Sequence, residues 1–337
     1  MCNFLSAIVL KNGDIICRPE ATDSHENLVD LRNLSDTRSD NFCRVEFVPN
    51  GKDYADLDNY GFVVDETVVP DWFTEEMRTR TVESLRERIK RMIVSEDQRV
   101  LGAGRWILTG KVKIHRCLNG CQILHAGSAK IQYAESCSIQ NAGSCSIRDA
   151  GSCSIQYAES CSIRYAGFCS IQNAESCSIQ NAESCSIQNA GSCSIQNAGS
   201  CSIWYAGSCS IQNAGSCSIQ NAESCSIQSA GSCSIWYAGS CSIRCAESCS
   251  IQSACSCSIR CAESCSIQYA GSCSIQYAES CSIRCAESCS IRYAESCSIR
   301  CAESCSIQSA GSCSIQNAGS CLIRCAESCS IQNGQPI

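Results

Sequence analysis

Thirty-six cysteines in a chain of 337 residues are the first chemistry this sequence offers. A thiol can pair in a disulfide, ligate a soft metal, attack as a nucleophile or fill a core as a small hydrophobe. Spacing decides among these. From residue 134 onward one cysteine recurs at every eighth residue. Ligands for tetrahedral zinc usually come in pairs two to four residues apart, so an eight-residue recurrence supplies rows of sulfur rather than a tetrahedron. Stacked neighbours at strand spacing also stand farther apart than the ~3.8 Å Cβ separation of a disulfide, and a bridge across the core requires very close sheets. Core filling is the expected role.

Other reactive residues are scattered. His25, His115 and His125 span a hundred positions with no nucleophile motif or glycine-rich phosphate loop beside them, and Ser24-His25-Glu26 has the form of a helix start. Cys2 would become an amino-terminal nucleophile if Met1 were removed, but nothing around it supports that use. Cys245, Cys261, Cys285, Cys301 and Cys325 each follow Arg and precede Ala-Glu-Ser, with spacings of 16, 24, 16 and 24 residues. That pattern is a duplicated 40-residue unit, so these cysteines are copies of one another. The expectation is a non-enzymatic chain with no catalytic residue, cofactor or metal.

The elements that position these residues are set by the repeat. Residues 134–333 divide into 25 octads of the form Ala-(Gly/Glu)-Ser-Cys-Ser-Ile-x-x, with Ala, Cys and Ile at positions one, four and six of every copy. Alternate side chains of a strand face opposite ways, so Cys and Ile share a face. Leaving each Ile in water would forfeit about 1.5–3 kcal/mol, so that face points inward. The core ladder therefore contains Cys201, Ile203, Cys209, Ile211, Cys217 and Ile219, while Ser200, Ser202, Ser208, Ser210, Ser216 and Ser218 form outward ranks. Strands are expected over positions three to seven, with corners at eight, one and two. Glu stands at position two in 12 octads and Gly in 12, so positive φ is not required there.

The fold class that follows is mainly β: a parallel β-solenoid preceded by a small α+β domain. Two octads per 16-residue coil suit the small core volume, giving a length of roughly 60 Å, and three per 24-residue coil is the alternative. A five-octad duplication moves each copy to another face of either coil, so the faces must be interchangeable.

Residues 1–105 form the α+β amino-terminal domain. Asn12-Gly13 predicts a type I′ hairpin, Asp23 with Glu26 a capping box for a short helix ending near Leu34, and Arg44–Val48 a strand. Thr74 is expected to cap an amphipathic helix with Val82, Leu85, Ile89, Met92 and Ile93 on one stripe and Glu87 paired with Arg91, ending near Ser95. Residues 106–133 form degenerate capping coils in which Cys121 and Ile123 keep the register and Ala129 replaces Cys. Residues 334–337 are a tail, and Pro336 discourages a further strand, which makes the last rung a candidate end-to-end homodimer contact.

The octad at residues 190–197, Ala-Gly-Ser-Cys-Ser-Ile-Gln-Asn, resembles the octapeptide half-repeat of bacterial ice-nucleation proteins, and Ser-Cys-Ser is similar to the Thr-Cys-Thr ranks of an insect antifreeze solenoid. These resemblances imply 16-residue coils and an ice- or water-ordering face. Thr is absent from the outward ranks, and Glu, Arg, Phe168, Trp204, Trp236 and Leu322 interrupt them. Met1-Cys2-Asn3-Phe4, Asp23-Ser24-His25-Glu26, Arg44-Val45-Glu46 and Val69-Pro70-Asp71-Trp72 resemble an uncharacterised domain of bacterial and phage proteins, which implies no activity.

A net charge of −7 with no clustered basic face argues against nucleic acid. No run reaches the ~18 apolar residues of a membrane span, and residues 1–10 lack a basic region and a cleavage site, so the expected location is cytoplasmic. The expected function is a repeat scaffold for an unknown protein partner. Binding of ordered water or ice through the Ser ranks is the alternative, and an enzymatic amino-terminal domain the second alternative.

Overall fold

A computed structural model describes residues 4–19, 22, 24–34, 41–51, 54–254, 256–302, 304, 306–318, 322–328 and 330–332. The chain is a parallel β-solenoid behind a small antiparallel sheet and two helices. Each octad contributes one strand, and each strand pairs with the strand sixteen residues on: Ser138 with Ser154, Ile139 with Ile155, Ala142 with Ala158. The same register continues through Ser314 with Ser330. One coil is thus two octads, and the two strands of a coil belong to opposite faces.

The corners differ from the expected ones. Strands run Ser-Ile-x-x-Ala, as at Ser146–Ala150, from position five to position one of the next octad, and the bend occupies positions two to four. The reason lies in the inward set. Cys153, Ile155 and Ala158 are all buried, while Gln156 and Tyr157 between Ile and Ala are both exposed. Strict alternation therefore fails at positions seven and eight, and in some octads the backbone turns through the left-handed region at eight. Asn189, Asn197, Tyr205, Asn213, Asn221, Tyr237, Tyr277 and Tyr293 have φ between 52° and 61°. Asn is the non-glycine residue best suited to that left-handed region.

Glycine at position two serves another need. A Cβ on Gly151 would lie 2.8 Å from the carbonyl oxygen of Glu135 on the preceding coil. Where Glu replaces Gly, the corner opens slightly: the amide-to-carbonyl distance is 2.8 Å at Gly151 and Gly167 but 3.1 Å at Glu159 and 3.0 Å at Glu175. The mixture of Gly and Glu is accommodated by a few tenths of an ångström.

The interior is continuous along the rod. Cysteine fits because it is small and its S–H can reach a corner carbonyl: Cys153 Sγ donates to Ala134 O at 3.4 Å and Cys161 Sγ to Ala142 O at 3.6 Å. The ladder cysteines from Cys137 to Cys273 are free thiols.

The amino-terminal sheet has the order β2-β1-β3-β4, with β1 at Leu5–Leu10, β2 at Ile15–Ile16, β3 at Phe42–Pro49 and β4 at Tyr60–Val64. The first hairpin is not type I′: only Gly13 of the Asn12-Gly13 pair is left-handed, and its amide closes a turn to Leu10 O at 2.8 Å. That geometry is a type I turn followed by a left-handed glycine. Helix α1, His25–Leu31, is capped by Ser24, whose side chain accepts from the Asn27 amide, and it ends three residues before Leu34. Asp23 lies outside the described residues. Helix α2, Glu75–Met92, is capped by Thr74 as expected. Its Glu87 pairs with Lys90 at 2.6 Å, one turn position earlier than Arg91.

Parallel pairing begins before residue 106. Ile93–Val94, the residues directly after α2, pair with Ile107 and Leu108, and Gln98–Leu101 pairs with the strand Lys113–Cys117. Helix α2 therefore runs straight into the first coil. Leu85, Ile89 and Met92 pack with Phe4, Phe47, Ile107 and Leu124 in one cluster, distinct from that of the solenoid interior, so the amino-terminal domain sits on outward side chains of the first coils. Buried Arg105 donates to Phe4 O at 3.3 Å, and Asn141 donates to the Tyr54 hydroxyl at 2.8 Å. No helix among the described residues is long and apolar enough to cross a membrane.

Candidate functional site

The solenoid offers two broad faces, and the sixteen-residue register decides what each presents. One face stacks Ser146, Ser162, Ser178, Ser194, Ser210 and Ser226 in a single file. Beside it runs a file of position-seven side chains, in which Gln180 donates to Gln196, Gln196 to Gln212 at 3.0 Å, and Gln212 to Gln228 at 3.2 Å. Arg148 and Arg164 extend this file toward the amino-terminal end. Together the two files line an open groove of about 650 Å³.

The opposite face is less even. Ser186, Ser202, Ser218 and Ser234 stack there, flanked by Gln188, Trp204, Gln220 and Trp236. The indole N–H of Trp204 donates to Ser202 Oγ at 3.1 Å, and Trp236 does the same to Ser234. Two hydroxyls of this file are thus engaged by protruding aromatics. A further ladder follows position eight, where Asn197 donates to Asn181 at 3.0 Å and Asn213 to Asn197 at 2.9 Å. Tyr277 and Tyr293 stack at 5.0 Å on a later stretch of the same edge.

Of the outward serines singled out, Ser200, Ser208, Ser210, Ser216 and Ser218 are exposed and Ser202 is half-buried beside Trp204. They do not form one surface. Ser210 belongs to the glutamine face, Ser202 and Ser218 to the tryptophan face, and Ser208 to a bend. Ser200 and Ser216 pair in register on a stretch where the strand continues through the corner. The ladder residues Cys201, Ile203, Cys209, Ile211, Cys217 and Ile219 are all buried, none more than 3% exposed. Cys245, Cys261, Cys285 and Cys301 lie at position eight on strand backbone, and Cys2 and residues 333–337 lie outside the described residues.

Two clusters bring ligand-type atoms together, and both were missed in the sequence because their members come from separate elements. In the amino-terminal domain, buried His25 donates Nε2–H to Val45 O at 3.0 Å and turns Nδ1 to Asp65 at 3.2 Å, with the Glu46 carboxylate within 4.8 Å of both. Such an arrangement brings two carboxylates and an imidazole, the donors of a cation site, to one place. At the start of the solenoid, the sulfurs of Cys117, Cys121 and Cys137 lie within 4.8 Å of one another and are fully enclosed. Only Cys121 and Cys137 belong to the ladder; Cys117 precedes it. In the amino-terminal domain the Cys43 thiol is pushed up to about 12, first by burial and then by the Glu66 carboxylate.

No family model, no curated protein and no solved structure matches this chain.

Proposed function

We propose that the chain is a non-enzymatic repeat scaffold whose solenoid presents its Ser/Gln/Arg-rich outer faces to a partner protein. The observation that carries this reading is the Gln180–Gln196–Gln212–Gln228 amide ladder beside an unbroken Ser file. Amides bonded to one another are held in fixed rotamers, so each coil offers the same polar group at the same height. A partner meeting such a surface meets many equivalent weak sites, and linked weak sites give strong overall binding. An interior explained entirely by packing supports the same reading.

A second reading is the ordering of water or ice on the Ser files. The in-register serines Ser194, Ser210 and Ser226 favour it, whereas the Trp204 and Trp236 indoles on the other face weigh against a flat hydroxyl lattice there. The two readings separate in one experiment. Thermal hysteresis and droplet freezing are measured on the reduced protein and on a variant carrying Ser194→Lys, Ser210→Lys and Ser226→Lys, all on one file. The scaffold reading expects no activity in either protein. Activity in the native chain that the substitutions abolish would replace it with the ice reading.

A further inference from the structure

We propose that Cys117, Cys121 and Cys137 form a three-thiolate binding site for a single Cu(I) ion. The three sulfurs lie within 4.8 Å of one another, in a buried pocket within the first coils.

The geometry differs from the rest of the solenoid for a specific reason. In the parallel register Cys117 stands opposite Ala134, so it occupies position one, where all 25 octads carry Ala. Three residues, Leu118-Asn119-Gly120, separate Cys117 from Cys121, one more than the two that separate position one from position four in an octad. This corner closes through the Cys121 amide to Leu118 O at 3.1 Å, with Gly120 at φ +80°. Cys121 then takes position four, and Cys137 sits above it on the next coil, since Ser138 pairs with Gln122. Among the described octads sulfur lines up in two files, one cysteine of each coil in each file. Here a second sulfur beside the same file turns it into a triangle.

Three sulfurs around one ion at a metal–sulfur distance of ~2.3 Å stand ~4.0 Å apart, which the observed separation reaches with a small inward movement. The donors are all soft, and among the described residues no His, Asp, Glu or further Cys lies within the same distance of all three. Soft thiolates select Cu(I) or zinc, and zinc sites prefer four donors, so a three-sulfur site favours Cu(I). Binding forms three Cu–S bonds and releases the three thiol protons to solvent, with no change of oxidation state. The exposed corner Leu118–Gly120 provides the entry path.

The test uses the reduced full chain, titrated anaerobically with Cu(I) against bicinchoninate as a coloured competitor. Native protein and a Cys201→Ala variant are expected to remove one equivalent from the competitor. Cys117→Ala, which installs the residue present in every octad, is expected to lose that equivalent. X-ray absorption on the native one-equivalent complex should show three sulfur scatterers. Retention of the first equivalent by Cys117→Ala, an equal loss in Cys201→Ala, or a two-sulfur shell would each overturn the proposal. Zn(II) in the same titration is expected to be lost to a competing chelator. Tight Zn(II) with a four-sulfur shell would overturn the three-donor assignment. The absorption measurement needs no variant, so the proposal stays testable if a substitution harms folding.

Discussion

Asn213 donates its side-chain amide to Asn197 Oδ1 at 2.9 Å, and both residues are held in the left-handed region at φ 53°. Position eight is where the strand gives up strict alternation, and this pair shows how: a residue tolerant of positive φ turns the backbone, and its side chain then bonds to its counterpart one coil away.

Replacing Asn213 with Gly should therefore cost little, because Gly accepts the same φ, whereas Asn213→Val should destabilise by about 1–3 kcal/mol through backbone strain at a β-branched residue. Chemical denaturation of the two variants beside the native chain checks the ordering. Equal stability of the Gly and Val variants would remove the role assigned to position eight.

Ile203 is fully enclosed between its counterparts Ile187 and Ile219 on the adjacent coils. Truncation to Ala removes buried methylenes and leaves a cavity the regular stack is poorly placed to close. Ile203→Ala is expected to cost about 2–5 kcal/mol, and Ile203→Val about 0.5–1.5 kcal/mol, in the same denaturation assay.

Thr74 caps α2 by accepting the Met77 amide through its hydroxyl at 3.4 Å. Because α2 buries Leu85, Ile89 and Met92 in the amino-terminal core, Thr74→Ala should lower stability by roughly 1 kcal/mol, and Thr74→Asp should restore it. Amide hydrogen exchange in residues 75–78 would report the loss of the cap locally.

Burial pushes the Cys43 thiol up to about 12 in the folded chain, whereas an unburied thiol in the unfolded chain ionises near 9.0. Its contribution is fully present below pH 9 and is lost as pH rises toward 12, because the unfolded state there holds fewer protons than the folded state. One proton corresponds to about 1.4 kcal/mol per pH unit. Between pH 9 and 11 the Cys43→Ala variant should thus lose stability less steeply than the native protein. Parallel curves would show that Cys43 does not titrate on unfolding.

Periodicity made the sixteen-residue coil and its Cys, Ile and Ala interior legible, since apolar residues at fixed octad positions have only one way to leave water. The corner was harder to place. Inward positions four, six and one are separated by two, three and three residues, and a strict two-residue alternation cannot follow that spacing. No glycine marks the break, and where the backbone turns left-handed at position eight, Asn or Tyr takes that φ. The Cys117 triangle was hidden for a different reason. Cys117 lies outside the octads and meets Cys137 only through a register that the longer corner sets. Likewise His25, Glu46 and Asp65 come from a helix start, a strand and the segment after β4, and only tertiary packing joins them.

The central claim is that the chain is a rod of interchangeable sixteen-residue coils used as a scaffold. Small-angle scattering on a variant lacking residues 174–237, a whole number of coils, tests it most directly. The account predicts a folded protein with a single cooperative transition and a maximum dimension shorter by roughly 19 Å, about 4.8 Å for each of four coils. An unchanged length, or a chain that no longer folds when whole coils are removed, would contradict it.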